Sequence, residues 1–413
     1  MLSSETRTSS AVHDTVLPLE SRPGPRTGLP DLVVLVSSVS SGIVGGILEY
    51  LEPLKRNLPR EGVSVLSFEF PRTLNLMESR GLPRPLRTGL HAMFILWTLL
   101  RILLARRRYR TILVHSHGAS YAMITGFLAR AYGHLAIHTF HSPISRPSAA
   151  LRLLSGRLDG LVFVSRGLGD RLRSLTGVDH SSVDYIPGAA DVQALVPLSA
   201  EDRTAERKNV LAASGLPDRG HLALFLGRIT PEKGILELVE AVRFLRESRC
   251  PVAVLVAGPF LDSRAGEAYR SLVERKIDDL GVSEWIALAG PVARPQKARF
   301  IGAADVFVCP SEWESSPIAV VEALSCGVPV VAFRAGGLGE RIVDGEDGIL
   351  VEPGDTVGLA RAVEGLVRDE SRRRAMAERA REEALRHYSV RSLVEQHLNL
   401  YARTLASRNA SRE

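Results

Sequence analysis

Two turns in the 413-residue chain carry residue types suited to an anionic leaving group. The first lies in ALFLGRITPEKGILELVEAV (223–242), which reads as strand, short loop and helix. Gly227 ends the strand, Arg228 follows it, and Lys233-Gly234 opens the helix. Backbone N–H groups and two cations at a helix N-terminus are a means of holding a diphosphate. The same residues also suit an ordinary βα turn with surface charges. The chain has 5 Lys against 47 Arg, so a lysine at this turn stands out. Its compact, mobile ammonium fits an oxyanion. The second turn lies in PSEWESSPIAVVEALSCGVPVVAF (310–333). Here Ser316 reads as an N-cap with Pro317 at the first helical position. The helix is expected to run to about Cys326, with Gly327 just beyond it and Pro329 after that. Glu314 precedes the helix and Glu322 lies on it, so two carboxylates bracket a positive helix end. A nucleotide sugar could use all three parts: the helix end for phosphate, one glutamate for sugar hydroxyls and the other for ribose hydroxyls. Either glutamate alone also reads as a surface acid or a capping residue.

Apolar runs alternating with longer amphipathic stretches must position these turns. In the first half the runs are LVVLV (32–36), VSVLSF (63–68), TILVH (111–115), AIHTF (136–140) and GLVFV (160–164), with helices expected near 46–57, 86–107, 120–132 and 166–175. A charged segment at 198–220 reads as irregular. The pattern then restarts with strands at 222–227, 252–258, 285–290, 305–310 and 328–333, and helices near 235–248, 265–280, 295–303, 317–326 and 357–386. Such alternation predicts parallel sheets covered on both faces, hence an α/β chain of two doubly wound domains. Ligands of such sheets bind at the carboxyl ends of the strands, here in a cleft between the domains. The expected divisions are a disordered arm (1–30), an N-terminal domain (31–205), a C-terminal domain (206–386) and a final segment (387–413). That last segment holds a helix over 390–406, capped by Ser389, that crosses back to the N-terminal domain and ends in a frayed tail.

Composition narrows the classes. Lys and Arg number 52 against 46 Asp and Glu. Residues 1–150 hold 17 basic and 9 acidic residues, while the remainder hold 35 and 37, so the excess sits in the N-terminal third. The basic density is low and lacks an aromatic platform, which argues against nucleic acid as a partner. Three cysteines without CxxC spacing exclude a disulfide framework or thiolate cage and fit a reducing cytoplasm. MLSSETRTSS has no apolar h-region of a secretory signal. The segment HAMFILWTLLRILLARRRYR (91–110) is apolar on most faces and then strongly basic. Its length and Arg101 exclude a spanning helix. It reads either as a helix packed between sheet and solvent or as one docking on an anionic membrane through Arg106, Arg107 and Arg108. His115, His117, His138 and His141 raise a zinc site, but no carboxylate or cysteine stands at ligand spacing, and no metal is expected.

Together these motifs resemble glycosyltransferase family 4, over about residues 32–405. The matching residues are Gly227, Arg228, Lys233 and Gly234, then Glu314 and Glu322 in the family's E-x7-E element. The resemblance implies the GT-B fold, two Rossmann-like domains facing a central cleft, and transfer from a nucleoside-diphosphate sugar with retained anomeric configuration. It also implies that Arg228 and Lys233 hold the donor pyrophosphate, that Glu314 sits beside the donor sugar and that Glu322 binds the ribose. Backbone groups of Ser316, Pro317, Ile318 and Ala319 would contact sugar and phosphate, and Gly290-Pro291-Val292 would form the base-binding segment. In the first domain Gly45-Gly46 resembles the family's glycine loop that faces donor and acceptor, which implies donor binding there, without the GxGxxG of a nicotinamide site. ILVHSHGASYA (112–122) resembles the family strand that ends in His near the cleft. IHTFHSP (137–143) resembles the strand whose terminal His approaches the reacting sugar, a role that falls to His141. FVSRGL (163–168) resembles the usual Ser-containing turn. YIPGAADV (185–192) departs from the family, which commonly shows Pro-Asn-Gly there. The implied enzyme is a bacterial, cytoplasmic, metal-independent glycosyltransferase without a cofactor. It would act on a natural product, glycolipid or polysaccharide, with peripheral contact on the inner membrane face. The rival readings are a sugar-nucleotide epimerase or a phosphorylase of the same fold, and a non-catalytic nucleotide-binding protein.

Overall fold

The computed structural model describes residues 28–38, 46–70, 82–118, 120–142, 149–176 and 183–410. Most of the N-terminal arm and Gly45 lie outside the described residues. The first sheet contains β1 (Leu32–Ser37), β2 (Ser64–Glu69), β3 (Ile112–His117), β4 (Leu135–Phe140), β5 (Gly160–Phe163) and β6 (Val183–Tyr185), in the order β2-β1-β3-β4-β5-β6. Its registered pairs are parallel: Leu32 stands opposite Ser64 on one side and Ile112 on the other. The helices are α1 (Gly46–Asn57), α2 (Arg84–Ala105), α3 (Ser120–Ala131), α4 (Ala149–Ser155) and α5 (Arg166–Thr176). β1, β3 and β4 are buried along their whole length, as expected of apolar runs covered on both faces.

The second sheet runs β12-β11-β10-β7-β8-β9. Its strands are β7 (His221–Leu226), β8 (Val252–Ala257), β9 (Ile286–Gly290), β10 (Val306–Cys309), β11 (Val330–Phe333) and β12 (Gly348–Val351). The associated helices are α6 (Ala200–Ala213), α7 (Ile235–Glu247), α8 (Arg264–Asp279), α9 (Arg294–Ala303), α10 (Ile318–Ser325), α11 (Thr356–Arg368), α12 (Glu370–His387) and α13 (Val390–Ala410). Both sheets are doubly wound. Strand order reverses between β1 and β3 in the first and between β7 and β10 in the second. Such switch points are where open α/β sheets leave room for ligands.

The edge strands β6 and β12 are not among the expected strands, the single helix expected over 357–386 is two, α11 and α12, and three further local expectations are corrected. The charged stretch read as irregular forms α6, because the Ser199 hydroxyl accepts from the Asp202 N–H (3.0 Å) and only Val210 and Leu211 of the helix are buried. So small an apolar face leaves little periodicity to read. α10 begins one residue later than expected, and Pro317 rather than Ser316 occupies its N-cap. The Ser316 hydroxyl is instead engaged by Gly188 and Arg341. The third concerns α2, which runs for 22 residues. Among the described residues, Pro85–Ala105 alone is long and apolar enough to cross a membrane by length and composition, with 22 % of the window buried. Length therefore does not exclude a span, because the helix starts well before residue 91.

The chain divides into two compact units. One comprises Met1–Thr139, Ser148–Val162 and Leu398–Glu413, and the other Phe140–Pro147 and Phe163–His397. The first has a core of β1 and β3 side chains with Phe68, Phe70, Phe94, Leu99 and Ile102. The second has a larger core that extends from Ala190 to Tyr388. Ser389 caps α13 through the Ser392 N–H at 3.1 Å. Within the first unit, Tyr401 of this helix meets His115, and Arg408 donates to the carbonyls of Gly133 and His134.

Candidate active site

The turns after β7, β8 and β9 are tied together at their carboxyl ends. The Gly227 N–H donates to Ala257 O (3.0 Å), Ile229 N–H to Pro259 O (2.8 Å) and Gly258 N–H to Gly290 O (2.7 Å). Gly258 holds φ at +145°, and a Cβ there would lie 1.7 Å from the Gly227 carbonyl oxygen. Only glycine lets these two turns touch. Gly234 is equally constrained: its φ is +68°, and a Cβ would lie 1.9 Å from Pro310 O. This approach brings the turn after β7 onto the turn after β10, across the switch point. Glu312 N–H donates to Glu232 O (3.0 Å) along the same seam.

Lys233 and Glu314 meet there. Lys233 ends a short 3-10 turn, Pro231–Lys233, ahead of α7. Its Nζ lies 2.6 Å from Glu314 Oε1, with both side chains about five-sixths buried (17 % and 15 % exposed). The Ser311 hydroxyl donates to the same oxygen at 2.9 Å. The Glu314 backbone is also fixed, its carbonyl accepting the Gly337 N–H at 2.6 Å. A Cβ on Gly336 or Gly337 would lie 2.3 Å from a carbonyl of Glu314 or Ser315. Arg228 is exposed in the turn after β7. Ile318 and Ala319 begin α10, where first-turn N–H groups have no intrahelical acceptor. Cys309 lies behind the carboxylate, and burial pushes its thiol up to about 12. That thiol is neutral and unreactive at neutral pH.

Glu322, on α10, pairs with Lys297 of α9: Nζ to Oε2 is 2.6 Å, and both side chains are largely buried. Gly290 (φ +71°) and the half-buried Val292 precede α9. Ser316 lies where the turns after β10 and β11 meet the 187–191 segment. Its hydroxyl accepts the Gly188 N–H at 3.0 Å and the Arg341 Nη2 at 2.6 Å, and Arg341 also donates to Gly188 O at 3.1 Å. The Arg341 guanidinium lies over the Tyr388 ring, 4.5 Å from its centroid. Glu340, one residue earlier, caps α5 with both carboxylate oxygens, each 2.7 Å from the N–H of Arg166 or Gly167.

The structure thus joins Lys233 with Glu314, and the glycine turns with one another, and gives Glu322 a cationic neighbour. Gly46 is exposed at the start of α1, and His141 is half-buried just beyond β4. Sequence reasoning missed Ser311, Lys297, Arg341, Glu340 and Gly258. The scarcity of lysine was the available signal for Lys297. The first sheet's histidines are held in a buried hydrogen-bond network. His115 places Nδ1 2.9 Å from Tyr401 Oη and Nε2 2.6 Å from Thr139 Oγ1, so both ring nitrogens are engaged. Ser116 Oγ lies 2.8 Å from His138 Nδ1. Among the described residues no group of three His, Cys, Asp or Glu could hold a metal ion.

Two doubly wound sheets, with a lysine and a carboxylate joined at a switch point, have the architecture of a GT-B glycosyltransferase. Solved structures share it. Sucrose-phosphate synthase from Thermosynechococcus elongatus (TM-score 0.74, 20 % identity) covers 91 % of this chain and 100 % of its own. A glycosyltransferase from Rickettsia africae (TM-score 0.75, 18 % identity) covers 91 % and 99 %. Anabaena HepE, solved in complex with UDP-glucose, superposes with a TM-score of 0.67 at 20 % identity over 91 % of this chain and 99 % of its own.

Residues 44–194 match the Glycosyltransferase Family 4 model and residues 206–383 the Glycosyl transferases group 1 model. A D-inositol 3-phosphate glycosyltransferase from Xylanimonas cellulosilytica is 32 % identical over 61 % of this chain and 58 % of its own length. An alpha-maltose-1-phosphate synthase from Mycolicibacterium smegmatis is 32 % identical over 71 % and 79 %. The chain belongs to glycosyltransferase family 4 and is a glycosyltransferase.

Proposed function

We propose that the enzyme moves a sugar from a nucleoside-diphosphate sugar to an acceptor hydroxyl, with retained anomeric configuration and without a metal ion or cofactor. The Lys233–Glu314 pair at the switch point carries this reading. As the donor's anomeric C–O bond breaks, negative charge grows on the β-phosphate. Lys233, Arg228 and the first-turn N–H groups of Ile318 and Ala319 offset that charge. Gly227 lets the phosphates approach the backbone. Glu314 orients the lysine and accepts from donor sugar hydroxyls, and Glu322 accepts from the ribose. Gly290 and Val292 lie along the base. Ser316 and Pro317 set the entry to the helix, and His141 hydrogen-bonds the reacting sugar. The departing phosphate takes the proton of the acceptor hydroxyl as the new C–O bond forms on the same face, so no side chain is needed as an obligatory base. Residues 31–205 serve the acceptor side and residues 206–386 the donor, with Gly45-Gly46 of the first domain also binding the donor. The acceptor is a natural product, glycolipid or polysaccharide, and the enzyme works in the cytoplasm with Arg106, Arg107 and Arg108 toward the membrane.

Thermal shift with UDP, GDP, ADP and dTDP tests the donor reading, because a ligand that binds only the native state raises its melting temperature. At least one nucleotide is expected to raise it, with the rise lost in Lys233→Ala. No rise with any of the four at millimolar concentration would overturn the reading.

A further inference from the structure

α2 is apolar on two opposite faces. Phe94, Leu99 and Ile102 are buried in the first unit's core, against Phe68, Phe70 and the β1–β3 strands. Leu86, Met93, Leu96, Leu100, Leu103 and Leu104 lie on the other side at 39–66 % exposure. At 100° per residue these six fall within one stripe along a helix about 33 Å long. They are six of the thirteen large exposed apolar side chains among the described residues, on a single helix. Exposed Arg106, Arg107 and Arg108 follow at its carboxyl end. Along the chain, residues 79–158 contain 12 Arg and no Asp or Glu, and the carboxylate beside this run, Asp31, accepts the N–H groups of Arg110 and Thr111.

We propose that this face of α2 seats on an anionic phospholipid bilayer. The helix axis lies along the interface, the leucine stripe reaches the acyl boundary, and Arg106–Arg108 meet lipid phosphates. An amphipathic element binds a membrane surface in this way when buried apolar area and basic charge act together. A spanning arrangement would strip Phe94, Leu99 and Ile102 from the core they complete. A second copy on the same patch would set an arginine-rich surface against itself, because an isologous interface repeats one patch on both sides. The surface rests on and deepens the membrane-side placement of Arg106–Arg108 proposed above, while the donor reading is tested separately by the nucleotide shift.

The test is co-sedimentation of the full chain with phosphatidylcholine vesicles, with and without phosphatidylglycerol. Binding is expected only to the anionic vesicles and is weakened by 0.5 M salt, roughly as charge screening requires. Arg106→Gln/Arg107→Gln/Arg108→Gln is expected to cut partitioning roughly 100-fold, at about fivefold per arginine. Leu96→Ser/Leu100→Ser/Leu104→Ser is expected to cut it at least ~10-fold, with melting temperature and donor-nucleotide shift unchanged because these side chains lie outside the core. Three results would each overturn the proposal: no binding to anionic vesicles, pelleted protein that resists alkaline carbonate, or a concentration-dependent dimer abolished by the leucine variant.

Discussion

The carboxyl edges of the two sheets are built from opposite materials. At the first, His115, Ser116, His117, His138, Thr139 and Tyr401 are at most 1 % exposed, and their hydrogen bonds join imidazoles and hydroxyls. At the second, Lys233, Glu314, Lys297 and Glu322 form two ion pairs with side chains 14–17 % exposed. A fully enclosed network of imidazoles and hydroxyls fixes geometry, because each member would be costly to leave unpaired. A partly exposed ion pair keeps its charges close to water, where an anionic ligand can share the cation. The fold therefore separates scaffolding from charge handling.

Breaking the charged edge is expected to give the largest effect. Lys233→Ala removes the cation beside Glu314, and kcat/KM should fall by about 2–4 kcal/mol of transition-state stabilisation. The melting temperature should fall as well, because Glu314 is left largely buried without its cation. Initial-rate assays with the donor identified by thermal shift provide the check, and wild-type turnover would place Lys233 with the scaffold. Tyr401→Phe tests the other edge. It leaves His115 Nδ1 without its hydroxyl partner at a fully buried site and should cost about 1–3 kcal/mol in denaturant unfolding. The affinity for a nucleoside diphosphate should stay as in the wild type.

Acid sharpens the same contrast. Burial holds His138 down at about 3, with a backbone hydrogen bond at Gly118 opposing the shift only in part. The unfolded chain takes up this proton near 6.5, so between about 6.5 and 3 it binds more protons than the folded state. Stability should therefore fall as pH drops through that window, by at most about 1.4 kcal/mol per pH unit from this residue. His138→Asn should flatten the dependence, measured by urea unfolding at pH 4 to 7. An unchanged slope would locate the acid sensitivity elsewhere.

Ten of the twelve strands among the described residues were legible because they are apolar runs between turns; the short edge strands β6 and β12, of three and four residues, were not. α6 was not, since its charged sequence buries only Val210 and Leu211 and its start rests on one serine hydroxyl. At the site, Lys233 and Glu314 could each be named from local sequence. Their pairing could not, because it depends on Gly234 leaving room for Pro310 O where a Cβ would stand and on β10 lying beside β7. Ser316 shows the reverse: its local sequence looks like a cap, but tertiary partners at Gly188 and Arg341 claim the hydroxyl.

The smallest expected effect concerns the second ion pair. Glu322→Gln keeps the side chain's shape and one carbonyl acceptor but removes the charge that holds Lys297 at 2.6 Å. A charge-assisted hydrogen bond to a ribose hydroxyl would become a neutral one, so the nucleoside diphosphate should bind about tenfold more weakly, or ~1.4 kcal/mol. Lys297→Met separates this from loss of the pair itself. It leaves Glu322 charged, and if the carboxylate alone holds the ribose, affinity should stay within about twofold of wild type, since the lysine is then only a counter-ion. Calorimetry on both variants reads the two numbers directly. Equal and unchanged dissociation constants would make Lys297–Glu322 a structural tie between α9 and α10, and the charged edge would then handle its ligand through Lys233 and Glu314.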